Sequence, residues 1–454
     1  MNTVPTDLEN EFNRRDFLRG SSMATIMALL GGVELTAQTP APAPENPATG
    51  PKVKCAVIGL GTWAREILGT LAQLPKADVV AICDNYPAFL KRAGAAAPKA
   101  TPYEDYRKIL DDKEIQAVIV ATPSHLHKEI VLAALQAGKH VYCEAPLATT
   151  VEDAKAIAQA AQAATKSVFQ SGLQMRSDPQ RHFLLQFIRA GAMGKNVLAR
   201  SQWHKKESWR RTSPNPDRER DLNWRLSKST SPGLLGEIGL HQIDMASWFL
   251  RSLPTAVSGF GSILNWSDGR DVADTVQAVF EYPDGVNLMY DCALTNSFDA
   301  DYEMYYGTDS AIMIRANKAW MFKEVDSPLL GWEVYARKDT FYKENGIALV
   351  ANATKLVAQG RKPVEEAPFT DTPLFYSLQS FLGNVVSIKA AVDDFTANFG
   401  SDDKALREYL TSITRLPNAR AVDGFEATVV AIKANEAVMK RERITFQKEW
   451  FSLT

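Results

Sequence analysis

The sequence predicts an α/β protein whose first folded domain is a parallel sheet with helices on both faces. Three observations lead there. Strand-like apolar runs alternate with helical patterns from Val53 onward, the pattern of parallel strands joined by crossover helices. The first run ends in Gly59-x-Gly61-x-x-Ala64 and passes straight into an apolar helical pattern of Ile67, Leu68, Leu71 and Leu74. The second run ends in an acid, Asp84. Together these describe a dinucleotide-binding strand–turn–helix with a carboxylate one strand away.

Each element follows in order. Strands are expected over 53–58, 79–83, 117–121 and 140–143, and helices over 66–74, 88–96, 106–110, 128–137 and 151–163. Gly59 allows the tight turn, Gly61 lets backbone approach a pyrophosphate, and Ala64 lets the helix pack closely on the strand. Thr62 and Trp63 complete that turn. Asp84 can accept hydrogen bonds from a ribose 2′-hydroxyl and repels a 2′-phosphate, which favours NAD over NADP. Ligands in such sheets lie at the carboxyl ends of strands. Thr122, Pro123, His125 and His127 fall there in one loop, and Glu144 and Pro146 in another. The two histidines, at i and i+2, have no third ligand nearby, so packing on the cofactor and helix capping are preferred over a metal. No metal is expected.

Bulk properties set the frame. At 454 residues the chain is too long for one ordinary core. A net charge of −2 gives no electrostatic case for nucleic acid or for an anionic membrane surface. The four cysteines are widely spaced and read as small core hydrophobes rather than disulfides or zinc ligands. Near the N-terminus, Asn13-Arg14-Arg15-Asp16-Phe17-Leu18 precedes a short apolar stretch and small residues around Ala37, the form of a twin-arginine export signal. The apolar stretch is too short for a permanent membrane anchor. The expected organisation is signal peptide at 1–37, a Pro/Ala-rich linker at 38–50, a nucleotide-binding domain at 51–172 and a substrate-binding and oligomerisation domain at 173–454. Export of a folded protein implies a tightly held cofactor and a periplasmic location.

At this point several motifs resemble the glucose–fructose oxidoreductase, inositol dehydrogenase and MocA family. They are Gly59-Leu-Gly61, Ala121-Thr-Pro-Ser-His-Leu-His127, His140-Val-Tyr-Cys-Glu-Ala-Pro146, Gln174-Met-Arg176, Asn223-Trp-Arg225 and Gly236-Glu-Ile-Gly-Leu-His-Gln-Ile-Asp244. The resemblance implies a Rossmann domain followed by an α/β domain with a large, mostly antiparallel open sheet that often forms a dimer or tetramer interface. Strand-like runs at 256–263, 274–280, 286–294, 302–306 and 311–315 agree, with Asp284-Gly285 as a hairpin turn.

The resemblance further implies a lysine where this chain has Ala145, between Glu144 and Pro146. Its absence puts plain alcohol oxidation in question, since one donor to the reacting oxygen is missing. Gln174, Arg176 or a lysine of His204-Lys205-Lys206 are candidates to replace it. The family's acid–histidine pair appears as Glu237 and His241, four residues apart and so on one face of a helix. His241 is the candidate general base, and Glu237 the group that orients its ring. Gln174 is expected at the cofactor, and Arg176, Trp224, Arg225 and Asp244 at the substrate. Indole faces beside arginines suit a carbohydrate. The expected activity is NAD-dependent oxidoreduction of a sugar, polyol or derivative. A redox-neutral NAD-dependent glycoside hydrolase or lyase, and a sugar-binding relative without turnover, remain as alternatives.

Overall fold

The computed structural model describes residues 50–316, 318–330, 333, 338–341, 344–349 and 369–454. The arginine pair, the apolar stretch and the linker lie outside the described residues. Among the described residues no helix is long and apolar enough to cross a membrane.

The first sheet is parallel. Its strands are β1 (Val53–Ile58), β2 (Ala77–Cys83), β3 (Thr101–Tyr103), β4 (Ala117–Val120), β5 (His140–Cys143) and β6 (Phe169–Ser171), in the order β3-β2-β1-β4-β5-β6. Helices α1 (Thr62–Leu71), α2 (Pro87–Ala96), α3 (Tyr106–Asp111), α4 (His127–Gln136) and α5 (Val151–Ala163) connect them. Chain order reverses at β1 and β4, so the crevice at their carboxyl ends is the switch point where such sheets bind ligands. The predicted elements stand, with small shifts at their ends. Strands β3 and β6 were not predicted, because three residues carry too little periodicity to read.

Continuous apolar strands demand cover on both faces. On one face, Ile67, Leu68 and Leu71 of α1 pack with Cys55, Val57 and Ile119. The other face buries Val118, Val120 and Cys143 with Ile130, Val131 and Ala134 of α4. All four cysteines are buried and free.

The rest of the chain adds α6 (Pro179–Arg189), β7 (Asn196–His204), α7 (Pro216–Leu222) and α8 (Leu240–Leu250). Then come β8 (Ala256–Ser262), β9 (Thr275–Glu281), β10 (Asn287–Ala293), β11 (Asp301–Gly307), β12 (Ser310–Arg315), β13 (Lys318–Lys323), β14 (Lys338–Phe341) and β15 (Glu344–Ala348). Helices α9 (Pro373–Phe399), α10 (Asp403–Ser412) and α11 (Ala421–Lys440) and strand β16 (Ile444–Thr445) complete it. The second sheet is largely antiparallel.

By contacts the described residues form two units, 180–199 with 303–370, and the remainder. In the larger unit β16, β8, β9 and β10 follow one another, each pair antiparallel. Asp284 and Gly285 turn the β9–β10 hairpin with φ of 63° and 78°, which is why those residue types stand there. In the smaller unit β11, β12, β13, β15 and β14 do the same.

The C-terminal helices return to the first sheet. Leu378, Phe381 and Val385 of α9 join the core over Cys55 and Val57, and Phe425 and Val429 of α11 join the opposite core. The nucleotide-binding sheet is therefore closed by residues more than two hundred positions beyond the predicted boundary at 172.

Candidate functional site

The glycine turn is built for two different reasons. Gly59 has φ +92°, and a Cβ there would lie 2.6 Å from Ala121 C and Thr122 N, so the turn and the end of β4 exclude any side chain. Gly61 has an ordinary φ of −64°, and a Cβ there would meet nothing within 4 Å. The open space over Gly61 sits at the N-terminus of α1, which has no side-chain cap. Free N–H groups and the helix dipole make that end a cradle for a pyrophosphate. Ala64 is buried in the core beneath it.

The loops around this cradle are braced internally. Asp84 accepts from the Leu60 and Tyr86 amides, both at 2.8 Å, so it ties the glycine turn to its own loop. Burial raises its pKa, against those two amides and Arg218. Its oxygens retain lone pairs for a ribose hydroxyl. Thr122 Oγ1 and His125 Nδ1 are buried without a hydrogen-bond partner, which is the state expected of groups that await a polar ligand. Pro123 opens the 3₁₀ turn that carries His125. Open cradle, uncapped helix and orphaned polar atoms all fit a dinucleotide.

Two expectations for this region are corrected. His127 does not project into the crevice. Its ring nitrogens lie 3.0 Å from the carbonyl oxygens of Pro146 and Thr122, and the neutral ring donates to one of the two, so it is packed between the two strand-tip loops. Burial pushes its pKa down to about 4. Glu144 likewise faces inward, accepting from Trp63 Nε1 at 3.0 Å. Burial raises its pKa to about 7, opposed by Trp63, the Ala145 amide, Arg225 and Gln174. Trp63, Glu144 and Gln174 thus form one connected group beside the turn. The Ala145–Pro146 bond is cis.

The predicted acid–histidine pair is also corrected. Residues Leu235–Gly239 form a single π-helical turn before α8. Glu237, inside that turn, makes no hydrogen bond to His241. Buried Glu237 instead accepts from Ser124 Oγ (3.3 Å), Ser231 Oγ (3.2 Å) and Arg225 Nε (3.2 Å). Burial raises its pKa against Arg225 and the two serines. Glu237 holds Arg225, not His241.

His241 stands in the first turn of α8 with some solvent access, and no described residue hydrogen-bonds its ring. Burial pushes its pKa down to about 4, so it is neutral at pH 7 and able to take a proton. Its neighbour Leu240 packs with Leu173 and Ala145, which sets this turn at the tips of β5 and β6.

Arg225 lies over the Trp224 ring at 4.5 Å and faces Trp209 at 5.8 Å. The Trp224 and His125 ring centroids are 6.1 Å apart. The structure therefore gathers Trp209, Trp224, Arg225 and His125, a cation with two indole faces. Arg176 and Asp244 are not free for substrate. Arg176 binds Asp244 through Nε and Nη2 at 2.9 and 2.8 Å, and Asp423 of α11 at 3.2 Å. Burial raises the pKa of Asp244 despite Arg176. The pair is consumed as a buried brace, which also removes Arg176 as a replacement for the absent lysine. Lys205 is no replacement either, being exposed and paired with Glu207. Ser124 and Ser231 were not predicted. Ser124 lay inside a singled-out loop, but only folding brings it to a residue 113 positions away.

The glycine turn, the open α1 N-terminus and Asp84 mark an α/β protein built to hold a dinucleotide. Residues 53–171 match the oxidoreductase family with an NAD-binding Rossmann fold, and residues 183–313 match the GFO/IDH/MocA C-terminal domain. The chain belongs to the GFO/IDH/MocA family. It is 37% identical over 147 residues to a levoglucosan dehydrogenase of Pseudarthrobacter phenanthrenivorans, covering 32% of this chain and 36% of that one. It is 26% identical over 267 residues to the scyllo-inositol 2-dehydrogenase (NAD(+)) of Bacillus subtilis, covering 58% and 74%. Among curated relatives the match to the first thus spans about a third of its length. The fold is similar to that of a levoglucosan dehydrogenase solved with NADH and L-sorbose, with TM-score 0.63, 21% identity and coverage of 88% and 100%.

Proposed function

We propose that this protein is an NAD-dependent dehydrogenase of a sugar, polyol or sugar derivative. The observation that carries the proposal is His241, a neutral imidazole without a hydrogen-bond partner at the strand tips. Bound NAD supplies a hydride acceptor there. Gly61 and the α1 N-terminus hold its pyrophosphate, and Asp84 its adenosine ribose. Gln174, Trp63 and Glu144 shape the wall near the glycine turn. Trp224 and Trp209 offer flat apolar faces for a pyranose or cyclitol ring. Arg225, held by Glu237, donates to substrate hydroxyls from its Nη groups. His241 accepts the proton of the hydroxyl being oxidised.

The same reading keeps the N-terminal Arg14-Arg15 segment as an export signal and the protein as a homo-oligomer in the periplasm. Export in the folded state favours a cofactor that stays bound between turnovers. Similarity to dehydrogenases of inositol and levoglucosan supports the substrate class.

The test is a panel of free sugars, cyclitols and aryl glycosides offered to purified protein with NAD. NADH appearing with a free sugar or cyclitol supports the proposal. Aglycone release without net NADH would replace it with the redox-neutral glycosidase reading. His241→Ala should abolish turnover while NAD remains bound; loss of NAD would mean His241 belongs to the cofactor site.

A further inference from the structure

The adenosine end of the nucleotide site holds a cation that the sequence did not announce. Helix α7 starts from an Asn215 cap that accepts from the Asp217 and Arg218 amides. It delivers Arg218 to the loop after β2. The guanidinium lies over the Tyr86 ring at 4.1 Å and faces Phe89 at 5.4 Å. One Nη donates to Asn85 Oδ1 at 3.2 Å. The other stands 3.8 Å from Asp84 Oδ1, beyond hydrogen-bond reach, and Asp221 is at 3.8 Å on the exposed side. The side chain is only 15% exposed, and its buried Nε has no partner.

We infer that Arg218 is a specificity-determining residue that lets this site take the 2′-phosphorylated dinucleotide NADP as well as NAD. The inference rests on a dinucleotide lying with its adenosine ribose at Asp84. A guanidinium has five N–H donors, and the contacts found here use one. Its fork matches a phosphate in two parallel hydrogen bonds. A terminal acid of the second strand by itself repels a 2′-phosphate. Here that acid is loaded by the Leu60 and Tyr86 amides and faced by a cation, so its repulsion is offset. Stacking on Tyr86 holds the guanidinium plane in place and limits the entropy lost when phosphate binds. Asn85, already in contact with Arg218, offers a further amide to the same oxygens. None of this weakens NAD binding, because the ribose hydroxyl still finds the Asp84 lone pairs.

The test is calorimetric titration of the full chain with NAD and NADP, and with the adenosine-end fragments 5′-AMP and 2′,5′-ADP, for wild type, Arg218→Gln and Arg218→Lys. Wild type should bind NADP within about thirtyfold of NAD. Arg218→Gln should weaken NADP and 2′,5′-ADP by about tenfold or more, the worth of a charged hydrogen bond, and NAD and 5′-AMP by less than about threefold. Arg218→Lys, which keeps the charge without the fork, should fall between. Equal weakening of all four ligands would make Arg218 a mere packing group and overturn the inference. Wild-type binding of NAD with NADP more than thirtyfold weaker would overturn it too and leave the NAD site intact. Binding of neither nucleotide would remove the dinucleotide reading and this inference together.

Discussion

The two glycines of the nucleotide turn should respond oppositely to the same added methyl group. At Gly61 the backbone has φ −64°, which alanine adopts freely, and the new Cβ meets no atom within 4 Å. Stability should be unchanged or rise by about 0.4–1 kcal/mol through the unfolded state. The methyl would, however, fill the cradle at the α1 N-terminus. Lifting a pyrophosphate oxygen off one backbone N–H forfeits a charged hydrogen bond of about 1.5–3 kcal/mol, a ten- to hundredfold rise in Kd. At Gly59 the φ of +92° costs an alanine roughly 1–3 kcal/mol. The 2.6 Å approach to the Ala121 and Thr122 backbone cannot be relieved by a rotamer change. The tips of β1 and β4 would have to part, bringing the loss to roughly 3–5 kcal/mol. Thermal unfolding followed by calorimetry and NAD titration by fluorescence measure both quantities. Gly61→Ala should keep its Tm and lose NAD; Gly59→Ala should lose several degrees as well. If Gly61→Ala binds NAD within twofold of wild type, the pyrophosphate does not lie where the turn places it.

Further expectations concern protons and the acid beside Arg225. Because burial holds His241 near 4, kcat/KM for oxidation should stay flat from about pH 6 to 8 and decline only as acid approaches that value; a midpoint near 6.5 would show an unperturbed, exposed ring. Buried His127 and His140 are both pushed down to about 4, so between about 4 and 6.5 the unfolded chain binds more protons than the folded one. Their stabilisation is complete above 6.5 and is lost as pH falls, by at most about 3 kcal/mol each. Glu144, raised to about 7, has the reverse slope between about 4.5 and 7 and offsets one of them. In urea unfolding the stability difference between wild type and His140→Gln should therefore shift in favour of wild type as pH rises from 4.5 to 6.5, and a pH-independent difference contradicts a neutral buried histidine. Glu237→Gln keeps both serine contacts but loses the ion pair to Arg225, so KM should rise severalfold with kcat within about threefold. A kcat loss of about a hundredfold would instead restore Glu237 as the partner of His241.

Local sequence determined the nucleotide half of this protein. Gly59, Gly61, Ala64 and Asp84 are readable because a tight turn, an open helix end and a strand-tip acid are short-range needs, met within a few residues. Helix and strand periods in residues 53–163 were equally legible, since each strand must be apolar on both faces. Which polar groups meet was settled by folding. Glu237 is taken by Arg225, Ser124 and Ser231 rather than by His241, and helical periodicity does not say where those partners lie. Arg176 and Asp244 are spent on each other because burying either charge alone is costly, and that pairing spans 68 positions. Arg218, 134 positions along the chain from Asp84, comes within 3.8 Å of it on α7. Short-range geometry is written in neighbours; charge partners are chosen by burial, and burial is a property of the whole fold.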